Sequence, residues 1–303
     1  MNINELKKIF KKFDSNIFFN QDLKKKNWFN IGGKTKVFFK AENLKDLVEF
    51  LKILNNKEKI HIIGAGSNTL ITDAIFNGVV IKLGKNFSRI SLLGEDIVIS
   101  GTAVLDKKLA DYAADNHISG FEFLACIPGT VGGGIKMNAG CFDREIKDIL
   151  VSVQAVDVFG NVITIPAEKI SFDYRGNDLP EDLIFLSASF KGIKKSSKLI
   201  KEKMIKFKIE KDKNQPTKIK TSGSTFKNPI RQTNKKVWEL IRESVPNNTC
   251  FGEACISEKH SNFFVNKGNA TFKDMKKLID FVTDSVFKKT GISIEKEIKI
   301  LEN

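Results

Sequence analysis

The sequence predicts a mixed fold of the α+β class, in which two small α/β units are followed by an α+β unit. Short apolar runs of strand length alternate with segments of helical periodicity over the first two thirds of the chain. A polar, lysine-rich stretch then leads into a final third with its own strand and helix patterns. Since 303 residues suggest about two domains, we expect one over 1–195, with subdomains at about 1–85 and 86–195, and another over 196–303.

The first unit is predicted from one helix and three strands. Residues Leu44–Leu54 carry apolar side chains at helical spacing, and Asn43 is a plausible N-cap. Strands are predicted at 36–40, 60–63 and 79–83 because these runs are short and apolar. Residues 1–8 have no apolar core before a cleavage site, so we interpret them as an amphipathic helix and not as a signal peptide.

The second and third units follow the same reasoning. The second contains a strand at 96–100, a helix at 105–116, a hairpin at 150–165 that turns at Gly160-Asn161, and a strand at 183–190. The third contains a helix at 235–243, a strand at 262–266 and a helix at 272–289. Thr271 and Asp274 form a capping pattern for that last helix, and Gly291 follows its end. A final strand is predicted at 292–301.

Composition limits the function classes. No stretch approaches the roughly 20 apolar residues of a membrane span, so we expect a cytoplasmic protein without a membrane partner. The four cysteines (Cys126, Cys141, Cys250 and Cys255) form no CxxC pair, and three histidines in the chain leave no zinc-like cluster. We therefore expect free thiols in a reducing compartment and no metal site.

The chain carries a formal net charge of +14, which favours anionic ligands. Its densest basic run, 191–220, holds 12 lysines against Glu202, Glu210 and Asp212, with apolar residues at roughly helical spacing. This run is either a solvated helix face at a domain boundary or a basic rim that steers an anionic substrate. A nucleic-acid partner is disfavoured because the run has few interleaved aromatic residues.

Two glycine-rich segments predict a dinucleotide site. GAGSN (64–68) directly follows an apolar strand, and its glycines let main-chain N–H groups approach a phosphate. No helical period follows it, so a Rossmann helix is absent and a simple strand–turn–strand is the alternative. PGTVGGG (128–134) holds four glycines in seven residues, a density that we interpret as incompatible with a packed element. Together the two segments suggest a clamp around one extended anionic ligand.

Four further positions are candidates for chemistry. Arg175 stands out in a lysine-rich chain, although a surface ion pair would explain it equally well. Ser224 lies in a small polar segment that either presents it to a ligand or forms an ordinary loop. Glu297 by itself is best explained as part of a solvated strand face, and His260 by itself is undecided. No histidine or acid is spaced for a hydrolase triad around Ser224.

Taken together, the motifs resemble the UDP-N-acetylenolpyruvoylglucosamine reductases, the MurB family. The matching segments occur in order and cover most of the chain: NIGG (30–33), IGAGSN (63–68), IPGTVGG (127–133), MNAG (137–140), YR (174–175), GSTFKNP (223–229), HSNFFVN (260–266) and Glu297. The resemblance implies an FAD-binding domain of the vanillyl-alcohol-oxidase (PCMH) type, in two α/β subdomains, followed by a family-specific C-terminal domain. It also implies non-covalent FAD and NADPH as reductant.

The resemblance assigns roles residue by residue. It implies that hydride passes from NADPH through flavin to C3 of an enolpyruvyl ether on a UDP-sugar, and that Arg175, Ser224 and Glu297 are the catalytic residues. It implies these cofactor contacts: Gly64, Ala65, Gly66, Ser67, Asn68, Leu70, Pro128, Gly129, Thr130, Gly132, Gly133, Asn138, Ala139 and Gly140. It implies these substrate contacts: Tyr174, Lys227, Asn228, His260 and Asn262.

Some positions depart from the family pattern. The short separation of Arg175 from Ser224 resembles the family's second type, which lacks an extra substrate-covering loop. Asn177 stands where serine is frequent, Cys126 where glycine is common, and Trp28 lies near a usual threonine. These departures concern local packing and cofactor contacts. The alternative function is another FAD-dependent oxidoreductase of the same fold that acts on a different alcohol or hydroxy acid. We expect a monomer.

Overall fold

The computed structural model describes residues 15–216 and 219–303, so the amphipathic helix predicted at the start of the chain lies outside the described residues. Helices and strands are both well represented, as the α+β class requires. The α-helices in the described residues are α1 (Leu44–Leu54), α2 (Asp106–Asp115), α3 (Val131–Lys136), α4 (Ser197–Asn214), α5 (Val237–Ser244) and α6 (Phe272–Thr290).

Many of the strands are only two or three residues long. They are β1 (Asn16–Asp22), β2 (Lys34–Ala41), β3 (Ile60–Ile62), β4 (Thr69–Ile71), β5 (Phe76–Leu83), β6 (Ile90–Leu93), β7 (Ile97–Gly101), β8 (Ile118–Ser119), β9 (Gly140–Cys141), β10 (Arg144–Glu145), β11 (Leu150–Val156), β12 (Val162–Pro166), β13 (Phe172–Asp173), β14 (Gly176–Asn177), β15 (Ile184–Lys191), β16 (Ile193–Lys194), β17 (Cys250–Phe251), β18 (Ala254–Ile256), β19 (Phe264–Asn266) and β20 (Lys299–Leu301).

The chain divides into two compact units that are discontinuous in sequence. The first unit comprises the described part of Met1–Phe19 with Val37–Ala65 and Gly78–Lys211. The second unit comprises Asn20–Lys36, Gly66–Asn77 and Asp212–Asn303. Two short segments from the first third of the chain therefore belong with its last third.

One core of the first unit surrounds α1. The predicted helix is confirmed, and the Asn43 side chain accepts a hydrogen bond from the Asp46 main-chain N–H at 2.8 Å. Phe39 and Phe50 stack with ring centroids 4.0 Å apart, and both rings are buried. The associated sheet has the order β1-β2-β5-β3, with β3 and β5 parallel. The strands predicted at 36–40, 60–63 and 79–83 are therefore confirmed, whereas β1 was not predicted.

The other core of the first unit lies beside an antiparallel sheet of order β12-β11-β15-β7-β6. The predicted hairpin is formed by β11 and β12, and Asp157 accepts main-chain hydrogen bonds from Phe159 and Asn161 in its turn. Helix α2 contributes Leu109 and Ala113 to this core. The strands predicted at 96–100 and 183–190 correspond to β7 and β15.

The prediction that the second glycine-rich segment (128–134) cannot form a packed element is wrong. Four glycines do not prevent a packed element, because Val131–Lys136 forms helix α3 with Val131 and Ile135 buried. A Cβ atom on Gly132 would lie 3.1 Å from the Thr102 Cβ, and one on Gly134 would lie 3.2 Å from an Asp106 carboxylate oxygen. At these two positions the absent side chain allows the helix to approach its neighbours closely.

The core of the second unit surrounds helices α5 and α6. The Thr271 hydroxyl and the Asp274 carboxylate form the predicted capping box, and Gly291 ends α6 in the left-handed conformation with φ 71°. Strands β17-β18-β19 form an antiparallel sheet, and β20 pairs in parallel with β4. Phe29, Ile31 and Leu70, from the two early segments, are buried in this core.

The prediction of one strand over 292–301 is wrong. Only Lys299–Leu301 forms a strand, and within 292–298 Lys296 makes an isolated bridge to Phe226. Alternating apolar residues suggested a longer strand, and Ile294 and Ile298 are indeed buried. Their burial serves the helical core of the second unit, so alternation alone did not imply ladder pairing.

The prediction of four free thiols is wrong for two of the cysteines. Cys250 and Cys255 form a disulfide, while Cys126 and Cys141 remain thiols. The two bonded residues are register partners of β17 and β18, and their Cα atoms lie 4.1 Å apart. The hairpin brings together two residues whose spacing in sequence gave no signal.

The basic run at 191–220 contains α4, which confirms its helical periodicity. Ile200 is buried and Phe207 stacks on Phe142 with centroids 4.1 Å apart, whereas Leu199 and Ile205 are exposed. Among the described residues, no helix is both long enough and apolar enough to cross a bilayer.

Candidate functional site

The residues predicted to form a site fall into both units and cluster within each. The first unit holds the Gly64-Ala65 end of the first glycine-rich segment, the whole second segment, and Tyr174-Arg175. The second unit holds the rest of the first segment together with the serine, histidine and glutamate candidates.

In the first unit, the structure brings the two glycine-rich segments together. A Cβ atom on Gly64 would lie 2.4 Å from the Thr130 hydroxyl, so the Thr130 side chain packs directly against the Gly64 main chain. Next to them, Gly133 has open space: a Cβ atom there would have only the Thr130 hydroxyl, at 3.7 Å, within 4 Å. This placement agrees with the clamp expected from the sequence.

Unpaired main-chain donors accumulate in both segments. In the first unit the N–H groups of Ala65, Gly129 and Thr130 donate to no other described residue. In the second unit the same holds for Gly66 and Asn68. Main-chain donors in loops with little side-chain bulk suit the phosphate oxygens of a dinucleotide. These residues therefore fit the FAD that the sequence implies.

A buried carboxyl group lies against α3. Asp106 is completely buried, and neither carboxyl oxygen has a hydrogen-bond partner among the described residues. Burial without compensation raises the pKa of Asp106 to about 8, so its neutral form predominates at pH 7. Its main-chain N–H donates to the Gly129 carbonyl at 3.2 Å, which links the start of α2 to the second glycine-rich segment.

Arg175 lies in the two-residue turn between β13 and β14, where Asp173 pairs with Gly176. Its φ of 61° is a left-handed conformation that few residues other than glycine adopt. Such a conformation is costly and persists where surrounding contacts enforce it. The side chain is mostly buried, with 18% of its surface exposed, and its guanidinium carbon lies 4.8 Å from the Tyr174 ring centre.

The Arg175 guanidinium has two acceptors on one small ladder. Nη2 donates to the Gly140 carbonyl at 3.0 Å, and Nη1 lies 3.8 Å from the Glu145 carboxylate. Gly140 and Glu145 are register partners of β9 and β10. The Glu145 carboxylate also raises the pKa of Lys147, whose ammonium lies 2.9 Å away.

Asn138, a predicted cofactor contact, is completely buried and connects three segments. Its amide nitrogen donates to the Glu145 carboxylate at 2.9 Å and to the Asp173 carbonyl at 3.1 Å. Its amide oxygen accepts the Lys147 main-chain N–H at 3.1 Å. Both ends of the amide are thus used within the protein, and its contact with a cofactor stays a prediction.

In the second unit, Asn68 and Glu297 are joined. The Asn68 amide donates to the Glu297 carbonyl at 3.0 Å, and the Lys299 N–H donates to the Asn68 carbonyl at 2.9 Å. The preceding Gly66, with φ 69°, packs so closely that a Cβ atom would lie 2.2 Å from the Lys26 carbonyl oxygen. Segment 66–68 is therefore held between residues near 27 and residues near 298.

Ser224 belongs to an extended segment that joins the same group. It forms an isolated bridge with Phe263, and the next residue, Thr225, donates to the Asn262 carbonyl and accepts from the Glu297 N–H, both at 2.8 Å. The Asn262 side chain bonds both main-chain groups of Phe226, at 2.9 and 3.0 Å. Asn262 is thus one of the groups that hold this segment straight, and its contact with substrate stays a prediction.

Three hydroxyl groups near Ser224 are buried without a hydrogen-bond partner among the described residues. They belong to Thr221, Ser222 and Thr225. Buried hydroxyl groups are normally paired, so a cluster of three beside a candidate proton donor is unusual. Sequence reasoning missed them because their segment had no pattern that distinguishes buried from exposed serine and threonine.

The remaining substrate candidates lie around the same segment. The Lys227 ammonium lies 3.6 Å from Glu295, and the Asn228 amide oxygen accepts the Val237 N–H at the start of α5. His260 packs 4.7 Å from the Phe263 ring and receives the Asn262 N–H at Nδ1. Burial lowers the pKa of His260, which favours the neutral imidazole.

Sequence reasoning missed two polar residues beside these groups. Glu145 was not singled out, because only the hairpin register places it opposite Gly140 and beside Arg175. Asn27 is buried, and its amide donates to the Leu23 and Ile31 carbonyls at 3.1 and 2.7 Å. It orders the turn against which Gly66 packs. No local motif marks either residue.

Comparisons with known proteins agree with this arrangement. A family model described as the C-terminal domain of UDP-N-acetylenolpyruvoylglucosamine reductase matches residues 215–301, and one described as an FAD binding domain matches residues 35–166. Two proteins named UDP-N-acetylenolpyruvoylglucosamine reductase are similar over most of their length. The one from Pelagibacter ubique is 65% identical over 100% of both chains, and the one from Rickettsia typhi is 45% identical over 92% of this chain and 93% of its own.

A solved structure extends the comparison to three dimensions. The crystal structure of the MurB reductase from Thermus caldophilus superposes with a TM-score of 0.81 at 28% identity, covering 95% of this chain and 99% of that one. Together with the family models, this match confirms the predicted fold class, an FAD-binding domain of the PCMH type followed by a family-specific C-terminal domain.

Proposed function

The chain belongs to the UDP-N-acetylenolpyruvoylglucosamine reductase family, and we propose on this premise that it reduces UDP-N-acetylglucosamine-enolpyruvate to UDP-N-acetylmuramate for peptidoglycan synthesis. FAD is its bound electron carrier and NADPH its reductant. The observation that carries the proposal is the direct main-chain bond between the Ser224–Phe226 segment and Glu297, at 2.8 Å from the Glu297 N–H to the Thr225 carbonyl. It gathers in one unit two groups that the reaction requires.

FAD would be held by the glycine-rich segments. The unpaired N–H groups of Ala65, Gly129 and Thr130 suit its phosphate oxygens, and the open space at Gly133 admits a ligand against the main chain. When bound, FAD supplies a hydride to C3 of the enolpyruvyl group after it has been reduced by NADPH. The rest of the chemistry belongs to residues of the chain.

Arg175 stabilises the negative charge that develops on the substrate. Hydride addition at C3 leaves an electron pair at C2 that delocalises onto the substrate carboxylate. A fixed guanidinium in a largely buried position lowers the energy of such a charge far more than water does, because it needs no reorganisation. The guanidinium contacts the Gly140 carbonyl at 3.0 Å and the Glu145 carboxylate at 3.8 Å.

Ser224 donates the proton that completes the reduction. Its hydroxyl proton passes to C2, which converts the enolate into the lactyl ether of the product. The bridge to Phe263 and the Thr225 bonds fix the main chain on either side of its Cα atom, so the hydroxyl can be directed with little loss of entropy. Glu297, the third catalytic residue, aids Arg175 in stabilising the enolate.

Substrate binding is assigned to polar residues around these groups. Lys227 and Asn228 contact the diphosphate of the UDP-sugar, Tyr174 packs beside the Arg175 guanidinium, and His260 and Asn262 line the position of Ser224. The neutral His260 that burial favours acts as a hydrogen-bonding group and not as a cation.

The wider setting follows from the same proposal. The enzyme acts as a monomer. It acts in the cytoplasm, where its UDP-linked substrate and NADPH are available. The FAD-binding domain spans 1–195, with subdomains at about 1–85 and 86–195, and the substrate domain spans 196–303. The contribution of segments 20–36 and 66–77 to the second compact unit gives the substrate domain part of the glycine-rich segment.

The proposal is tested with the purified protein in three steps. Its visible spectrum should show bound flavin, anaerobic NADPH should bleach that spectrum, and UDP-N-acetylglucosamine-enolpyruvate should restore it. Mass spectrometry should then detect a product heavier than the substrate by two hydrogen atoms. A protein that cannot be loaded with FAD, or whose reduced flavin is reoxidised by oxygen but not by this substrate, would refute the proposal.

A further inference from the structure

Arg175 occupies a backbone conformation that its own residue type does not favour. Its φ of 61° lies in the left-handed region, inside a two-residue turn. A turn of this kind fixes the Cα–Cβ direction but leaves four side-chain torsions of arginine open. The orientation of the guanidinium must therefore be set by what it contacts.

The first fixed contact is the β9–β10 ladder. Gly140 presents its carbonyl to Nη2, and its register partner Glu145 presents a carboxylate to Nη1. Gly140 is essential to this arrangement, because a Cβ atom there would lie 2.8 Å from the Glu145 Cγ and 2.4 Å from the Arg144 carbonyl oxygen. The Glu145 side chain crosses the face of Gly140 to reach the guanidinium.

The Glu145 carboxylate is itself fixed on its other side. Its Oε2 accepts the Asn138 amide and lies within 2.9 Å of the Lys147 ammonium, which leaves Oε1 facing Arg175. The Asn138 amide also donates to the Asp173 carbonyl, two residues before Arg175 in the hairpin. The buried Asn138 amide thus fixes the Glu145 carboxylate relative to the turn that carries Arg175.

We propose that Glu145 is the positioning residue of Arg175, and that its charge holds the guanidinium in the orientation needed to stabilise the enolate. The inference rests on the proposed function for its catalytic consequence, but the orientation of Arg175 can be measured without substrate. Glu145 contacts no substrate in this scheme and acts only through the arginine.

The first test measures the guanidinium directly. The chain has only five arginines, so the Nε–Hε region of a nitrogen-15 NMR spectrum contains few signals, and Arg175→Lys identifies the one that belongs to Arg175. In Glu145→Ala we expect this signal to exchange with solvent at least ~5-fold faster or to broaden, while the other four stay unchanged. An unchanged Arg175 signal would overturn the inference whatever the substrate is.

The second test uses the two half-reactions. In Glu145→Ala we expect flavin reduction by NADPH within twofold of wild type and substrate reduction slower by ~30- to 100-fold, in kcat more than in KM, because small misplacements of a catalytic group are costly. Glu145→Gln keeps the shape of the side chain and loses its charge, so we expect substrate reduction to be ~5-fold slower than in wild type. Glu168→Gln, at an exposed glutamate of the same unit, is the control and should match wild type.

A double-mutant comparison separates positioning from general damage to the fold. If Glu145 acts through Arg175, Glu145→Ala should slow substrate reduction by less than twofold more in an Arg175→Ala background. A further 30-fold loss in that background would overturn the inference. Failure of wild type to reduce the substrate would instead count against the proposed function, and the NMR result would still decide whether Glu145 orients Arg175.

Discussion

The Arg175 cluster of the first unit and the Ser224 cluster of the second are organised by different kinds of partner. Around Arg175 the partners are largely charged or amide side chains, with Glu145 facing the guanidinium and Asn138 holding Glu145. Around Ser224 they are main-chain groups, such as those that join Thr225 to Glu297, and the neutral side-chain amide of Asn262. On the proposed function, the charged group is compensated by an opposite charge, whereas the hydroxyl is placed by uncharged groups that order its main chain.

The two units also differ in the buried groups that they leave unpaired near these segments. Near Ser224 three hydroxyls lack partners among the described residues, and near α3 the single carboxyl of Asp106 does. An unpaired buried hydroxyl keeps its polar group at a cost of about 1–3 kcal/mol, while an unpaired buried carboxyl becomes neutral by keeping its proton. The two regions therefore predict different responses to mutation and to pH.

The largest effect is expected from Ser224→Ala, which removes the proposed proton donor from the Ser224 cluster. We expect substrate reduction to slow by about 10³-fold, within the range for a lost general acid, while flavin reduction by NADPH stays within twofold. Stopped-flow absorbance of the two half-reactions provides the measurement, with Ser293→Ala at an exposed serine of the same unit as control. Equal loss in both half-reactions would show that the serine role is misassigned.

The next largest effect concerns stability and Asp106. Its pKa is raised to about 8 in the folded protein, so the folded state binds a proton that the unfolded state has already released between about pH 4 and pH 8. Stability should therefore fall with rising pH in this window, by up to roughly 1.4 kcal/mol per pH unit from this group.

Asp106→Asn should remove that slope. The variant should match wild type near pH 4 and become progressively more stable than it, by on the order of 4 kcal/mol at pH 7. Urea unfolding of both proteins at several pH values measures the difference. Parallel stability curves would mean that the carboxyl finds a compensating partner, and the contrast between the unpaired groups of the two units would weaken.

A smaller effect is expected from Gly140→Ala. This substitution tests whether the Arg175 cluster requires a residue without a side chain at position 140, over which the Glu145 side chain passes. The new Cβ atom would lie 2.4 Å from the Arg144 carbonyl oxygen, so the ladder must shift, at a cost of about 1–3 kcal/mol in unfolding free energy. Gly176→Ala is the matched control, because a Cβ atom there meets nothing within 4 Å. Equal stability of the two variants in urea would contradict the argument.

The smallest effect should come from Thr225→Val. The substitution keeps the shape and removes a buried hydroxyl that has no partner among the described residues. We expect the unfolding free energy to rise by about 1 kcal/mol, since an unsatisfied group is lost and the main-chain bonds remain. Thr164→Val, at an exposed threonine of β12, should change stability by less than half as much. A clear destabilisation would show that the hydroxyl is paired after all.

Elements whose signals are local were predicted well from the sequence. Helix α1 begins after the Asn43 cap, and α6 begins at the Thr271–Asp274 capping box and ends at Gly291, as residue types at fixed spacing require. Element α3 was missed because glycine favours loops in isolation, and here its lack of a side chain permits close packing instead.

What depends on the register of short strands could not be predicted from local patterns. The motifs located the glycine-rich segments, Arg175, Ser224 and Glu297, but not the residues that hold them. The partnership of Glu145 with Arg175 depends on a two-residue ladder, and the Cys250–Cys255 bond depends on a hairpin register. Neither register is encoded by periodicity, since strands of two or three residues are too short to show any.

The parallel pairing of β4 with β20 has a consequence for biosynthesis. Asn68 finds its partner Glu297 229 residues later in the chain, and Thr72 donates to the Leu301 carbonyl. As the protein emerges from the ribosome, segment 66–77 stays without its β20 partner while nearly the whole first unit is made and can fold. This delay leaves an apolar strand edge exposed, which is where a nascent chain is most vulnerable to aggregation. The Asn68–Glu297 contact can form only when the last residues of the chain have been made, so the second unit is completed at the end of synthesis.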